Sequence, residues 1–296
     1  MSTTETVNPD FSDIDSWSTL AAVKAMLDGQ QDAIAALRGL ETFIANACDA
    51  AAALLISGGR ILYAGAGTSI RIAVQDGVEL GPTFGWPADR LDYVIAGGPP
   101  ALMTSAEGAE DDGDDAREQV AALAVTSSDI LIGVAASGRT PFTVAAVEAA
   151  RALGALTIGI ANNPDTPLPR VADHGIVAAT GYELIAGSTR MKAGTAQKAA
   201  LNLLSTGIML RLGRVYRGLM VDMVISNDKL LLRGQQMVAE LSGCNAKTAA
   251  AALQAADNNI KKGVLIAMGY SESASKTALD QSGQILRAAL ASLQRG

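Results

Sequence analysis

The chain has 296 residues, of which 49% are hydrophobic, 18% charged and only 4% aromatic, with 30 acidic side chains against 23 basic ones and a formal charge of −7. A chain of this size buries roughly 75% of its unfolded surface, so intrinsic disorder and a disulfide-stapled scaffold are both excluded as organising principles. The acidic balance argues against a nucleic-acid surface and leaves room only for a local cationic pocket. Two cysteines, Cys48 and Cys244, cannot build a cysteine zinc site, and the single histidine, His174, removes most histidine chemistry.

The first 16 residues are polar and acidic, with no basic segment followed by an apolar one. No run of 18 apolar residues follows, so no membrane span is expected, and the chain reads as a cytoplasmic protein with reduced thiols. Residues 18–57 carry apolar positions at helical spacing and no proline, which predicts two helices broken near Gly29. Gly58-Gly59 ends them. Residues 61–64 form a short apolar run that enters the turn Gly65-Ala66-Gly67-Thr68-Ser69, read as a buried strand with a helix after it.

The same device returns about seventy residues on. Residues 129–134 are a strand, Ala135 to Pro141 its exit turn, and 142–153 the next helix. Residues 93–96 and 156–160 are further strands. Strands alternating with helices of ten to fifteen residues define an α/β fold with a parallel sheet covered on both faces. Residues 191–212 and 221–238 read as helices, and the character changes around Gly243-Cys244-Asn245. The organisation expected is therefore an N-terminal arm with helices over 1–57, an α/β domain over 58–240 and a small all-helical module over 241–296.

The turn after the first strand lacks a dinucleotide fingerprint, because Ile70 stands where the third glycine belongs. Thr68 and Ser69 nevertheless sit where a strand leaves the sheet and a helix begins. There, backbone N–H groups, the helix dipole and hydroxyls can hold a phosphate monoester. Ser137, Gly138, Arg139 and Thr140 occupy the equivalent point of the second turn, and helix capping alone is the plainer reading of each. The stretch Gly187 to Lys192 lacks the glycine before lysine of a P-loop; its Arg190 and Lys192 either help bind an anion or face solvent at a helix start. His174, in an Ala-Asp-His-Gly turn, reads as structural. The acidic run 107–115 fails as a calcium loop, since alignment on Gly113 puts Gly108 and Gln119 at ligand positions. Two carboxylates, Glu79 beside a proline turn and one from the acidic run, could supply acid and base without a metal.

These motifs, in this order, resemble the N-acetylmuramic acid 6-phosphate etherases. The likeness is carried by Gly65–Ser69, Pro82-Thr83-Phe84-Gly85, Glu107-Gly108-Ala109-Glu110-Asp111, Ala135 to Pro141, the block Gly187 to Lys198 and the segment Leu219 to Leu230. The resemblance implies a sugar isomerase (SIS) fold with a five-stranded parallel sheet, a homodimer, and no metal or organic cofactor. It implies cleavage of the D-lactyl ether of the phosphorylated amino sugar in cell-wall recycling. It also implies functional glutamates at Glu79 and Glu110, read here as proton donor to the leaving lactate and base at C2. The chain departs from the family pattern at Ile70, at Gln75–Pro82 and in its N-terminal arm. On the same fold the alternatives are an aldose–ketose isomerase and a sugar-phosphate sensor without turnover.

Overall fold

In the computed structural model, which describes residues 3–104 and 106–295, the chain forms two compact units: Met1–Gly77 with Asp89–Gly207, and Val78–Ala88 with Ile208–Gly296. Met1 and Ser2 of the N-terminal arm and Gly296 of the tail lie outside the described residues.

The first unit opens with a 3-10 turn, Thr3–Glu5, and two helices, α1 (Thr19–Ala35) and α2 (Glu41–Leu55). The helical break expected at Gly29 is displaced: α1 runs through it and ends at the Ala36–Leu40 turn. Gly29 is there for close packing, since a Cβ would stand 2.8 Å from Leu184 Cδ1. In chain order there then follow β1 (Ile61–Gly65), α3 (Gly67–Val78), the short α4 (Leu80–Phe84), β2 (Leu91–Ile95), α5 (Gly113–Ala122), β3 (Ile130–Ala135), α6 (Pro141–Ala152), β4 (Leu156–Ala161), α7 (Pro167–Val171), β5 (His174–Val177) and α8 (Lys192–Arg211), of which α4 and the last turn of α8 belong to the second unit. The five strands form one parallel sheet in the order β2-β1-β3-β4-β5. His174 opens the fifth strand, where the sequence reads as a turn.

Alternation sends Leu62, Ala64, Leu131 and Ala135 to one face, where they bury against Ala116 and Val120 of α5 and Phe142, Ala146 and Val147 of α6. In-register glycines at 133, 159 and 175 let the helical layer approach this closely. A Cβ on Gly133 would meet Val147 Cγ2 at 2.5 Å, and one on Gly175 would run into the Pro169 carbonyl. At the strand-entry edge, Arg60 bridges Asp129 (2.8 Å) and Asp92 (3.2 Å). Burial works to raise the Asp129 carboxyl. The Arg60 hydrogen bond and the N–H groups of Thr126 and Arg60 outweigh it and hold the group below its ordinary value.

The second unit is helical: α9 (Asp228–Ser242), α10 (Ala246–Ala255), α11 (Ile260–Ala267), α12 (Glu272–Gln281) and α13 (Leu286–Leu293). Asn227, Asn245, Asn259 and Ser271 each cap a helix by accepting an N–H three residues on. The helix expected over 221–238 starts only at Asp228. Residues 214–227 are extended and turned because Val221 and Met223 are core residues of this unit. The unit also takes in α9 and residues from Ile208 on, so it starts well before 241: Met237, Val238 and Leu241 bury with Leu253, Val264 and Leu279 in one core.

Candidate active site

Parallel strands place all their exit turns at one edge of the sheet, and two of these turns form the walls of a cleft of about 800 Å³. The first wall is Ala66 to Ser69. Gly65 ends β1, and a side chain there would stand 2.9 Å from the Val134 carbonyl and 3.3 Å from Ile70 Cβ. Its missing Cβ is what lets Ile70, buried in the core, sit at the foot of α3. The first turn of α3 leaves backbone N–H groups pointing out of the helix, and Ser69 is largely buried beside them.

The second wall is Ala135 to Pro141. Gly138 adopts φ +65° and lies so close against Thr166 that a Cβ would overlap its hydroxyl, so the turn tolerates no side chain there. Ser137 Oγ accepts the Arg139 N–H (3.1 Å) and lies 3.4 Å from Thr140 Oγ1. Pro141 starts α6, where its missing N–H costs nothing. Thr68, Ser69, Ser137, Arg139 and Thr140 all line the cleft; Gly138 shapes it from beneath.

Glu110 lines the same cleft. It sits in the 3-10 turn Ala109–Asp111, entered through Gly108 at φ +75°. Asp112 then caps α5 by accepting the N–H groups of Asp114 (3.1 Å) and Asp115 (2.9 Å), which accounts for part of the acidic run as ordinary capping. The loop ahead of Glu110 is tied to α3 by Arg71, which donates to the carbonyls of Ala101 and Leu102 at 2.9 Å each. Among the described residues, no group of three or more His, Cys, Asp or Glu side chains is arranged to hold a metal ion.

Two family models match: the glucokinase regulatory protein N-terminal SIS domain over residues 43–151 and the SIS domain over residues 109–207. An N-acetylmuramic acid 6-phosphate etherase of Streptomyces coelicolor is 46% identical over 98% of this chain and 93% of its own. One of Deinococcus radiodurans is 43% identical over 92% of this chain and 90% of its own. The chain belongs to the N-acetylmuramic acid 6-phosphate etherase family. A solved structure of an Escherichia coli protein shares the fold of the α/β body, with a TM-score of 0.51 and 16% identity over 69% of this chain and 94% of that one.

Within this etherase-family chain, the other sequence-selected residues fall elsewhere. Glu79 precedes α4 in the segment Val78–Ala88 of the second unit. Its apolar sequence neighbours Leu80 and Phe84 are buried, while Glu79 itself is exposed. Within that unit the segment is clamped. Arg214 donates to the carbonyls of Phe84 (3.1 Å) and Gly85 (3.2 Å), and Val224 N–H donates to the Pro82 carbonyl (3.1 Å). Asp222 pairs with Lys261 at 2.5 Å, and burial pushes the Asp222 carboxyl up and the Lys261 ammonium down.

Arg190 is exposed and does not line the cleft; its neighbour Thr189 does. Lys192 is drawn away from it. Its side chain is buried near Asp32 (3.7 Å), because its backbone N–H starts α8. The partner at that helix start is Glu183, a fully buried carboxylate accepting the N–H groups of Lys192 and Ala193 at 2.9 Å each. Sequence reasoning passes over Glu183, and also Glu5, which lines the cleft. A helix-start acceptor ahead of the Gly187–Lys198 block is the available signal for the first.

Proposed function

We infer that this chain is a carbon–oxygen lyase that cleaves the D-lactyl ether of N-acetylmuramic acid 6-phosphate, giving N-acetylglucosamine 6-phosphate and D-lactate. The observation that carries the reading is one cleft lined by hydroxyl turns suited to a phosphate and by Glu110, in a chain with near-full-length etherase relatives. The phosphate seats on Thr68, Ser69, Ser137 and Thr140, with Arg139 beside them and Gly138 keeping the turn tight. Its binding energy holds the sugar carbons toward the carboxylates.

Ring opening exposes the C1 aldehyde, which acidifies the C2 proton. Glu110 takes that proton as Glu79 protonates the departing C3 oxygen, so the C3–O bond breaks and an unsaturated aldehyde remains. Water then adds, its hydroxyl to C3 and a proton to C2, with Glu79 as activator. One water is consumed, and neither metal nor organic cofactor enters the balance.

The working form is a homodimer. Leu20, Val23, Leu27 and Ile34 stand exposed along α1 at helical spacing, an apolar stripe suited to a second copy. Two free cysteines and a phosphorylated substrate favour the cytoplasm, and no helix among the described residues is long and apolar enough to cross a membrane. The test is direct. Purified protein incubated with N-acetylmuramic acid 6-phosphate should release D-lactate, whereas an isomerase would interconvert the sugar phosphate and release none. A sensor, the reading favoured by the regulatory-protein model over 43–151, would bind and turn over nothing.

A further inference from the structure

The N-terminal arm reads as a loose polar segment, yet its first described turn is built into the cleft. Thr4 is fully buried. Its hydroxyl receives the Asn163 Nδ2–H at 3.0 Å, and the same Nδ2 donates to the Ala136 carbonyl at 2.8 Å, in the turn that carries Ser137. The Thr4 carbonyl in turn accepts the Gly187 N–H at 2.9 Å, next to Thr189. One residue of the arm thus joins the Ala135–Pro141 wall of the cleft to the segment that carries Thr189. Glu5 is consequently held at its rim, its Oε2 lying over Gly187, where a Cβ would stand 3.5 Å away. That carboxylate has no hydrogen-bond or ion-pair partner among the described residues.

A carboxylate accepts hydrogen bonds and donates none, so it repels the phosphate that the hydroxyl turns are suited to hold. What remains for it in this cleft is the part of the ligand rich in O–H donors. We propose that Glu5 is a substrate-binding residue that accepts a hydrogen bond from a hydroxyl of the sugar chain between the phosphate and the reacting carbons, and that Thr4 is the positioning residue that holds it there. The assignment rests on the cleft being the sugar-phosphate site. It makes the N-terminal arm a selector for a polyhydroxylated phosphate over a bare one.

The experiment is calorimetric titration of wild type, Glu5→Ala and Thr4→Val with two probes, N-acetylglucosamine 6-phosphate and inorganic phosphate. Glu5→Ala should weaken the sugar phosphate by about tenfold or more, the size of a hydrogen bond to a charged group, and leave phosphate unchanged or tighter. Equal weakening of both probes, or no weakening of the sugar phosphate, overturns the proposal. Thr4→Val should reproduce the same selective loss and Thr4→Ser should restore it; a fall in melting temperature with selectivity intact removes Thr4 from its role. Because binding needs no turnover, selective loss in Glu5→Ala with no lactate release by wild type would sink the etherase reading alone. Lactate release by wild type with Glu5→Ala binding intact would sink the arm proposal alone.

Discussion

Arg214 Nη1 donates to the Phe84 carbonyl at 3.1 Å, across 130 residues of sequence, and so fixes the turn that follows Glu79. The next residue, Gly85, ends α4 at φ +61° with its α-carbon pressed on the Asp222 backbone: a Cβ would come within 2.6 Å of that carbonyl. Gly85→Ala therefore meets both a left-handed backbone and a clash with main chain. We expect destabilisation of about 1–3 kcal/mol and a larger fall in kcat than in substrate affinity, since the hydroxyl turns proposed to hold the phosphate are untouched. Thermal melts with steady-state kinetics check it; a full-strength, fully stable variant would show that the turn does not position Glu79.

Ser137→Ala probes the proposed phosphate seat. The hydroxyl that accepts the Arg139 N–H and neighbours Thr140 would be lost, removing a donor to a dianion worth about 1.5–3 kcal/mol. KM should rise roughly 10- to 100-fold, with a smaller drop in kcat if anchoring orients the sugar. Unchanged kinetics would reduce the turn to a helix cap.

The strand-entry edge should govern acid stability. Asp129 and Asp173 are both held below the ordinary carboxylate value: burial opposes ionisation in each, but hydrogen bonds from Arg60 and from Thr157 prevail. A group depressed in the folded state contributes stability that is complete above its unfolded value, 3.8 here, and is lost as pH falls through the folded one. The melting temperature of wild type should thus drop below about pH 4, and Asp129→Asn should be less stable at neutral pH with a shallower acid limb. Parallel acid limbs in the two proteins would place the acid-sensitive groups elsewhere.

Much of this architecture is legible in the sequence because the rules behind it are local. Residues 61–64 and 129–134 are apolar runs closed by glycine turns, and parallel strands necessarily deliver both turns to one sheet edge. Features decided by distant partners are not legible. Gly29 looks like a helix stop until Leu184 is packed on it; β5 is only four residues long and half buried; α9 starts late because Val221 and Met223 are claimed by a core assembled from residues up to Leu290. Lys192 looks like an anion ligand by its neighbours, yet Glu183 sets its place. Glu5 is hidden in a polar arm anchored through Asn163, 159 residues away from Thr4.

The sharpest expectation concerns the two glutamates. Glu79→Gln keeps shape and hydrogen bonding close to the original but can neither give nor take the proton needed at the ether oxygen. Lactate release should be lost, while Glu110, which lines the cleft independently of the 78–88 segment, still exchanges the C2 proton slowly with solvent deuterium. Glu110→Gln should abolish that exchange, because no base remains to form the carbanion. If elimination is concerted, neither variant exchanges, so the informative comparison is exchange in Glu79→Gln against none in Glu110→Gln. Deuterium incorporation followed by NMR, beside a lactate assay and a circular dichroism check of folding, separates these cases. Exchange surviving in Glu110→Gln and lost in Glu79→Gln would reverse the acid and base roles. Wild-type lactate release from both variants would strip the mechanism of its two groups and return the chemistry to other residues of the cleft.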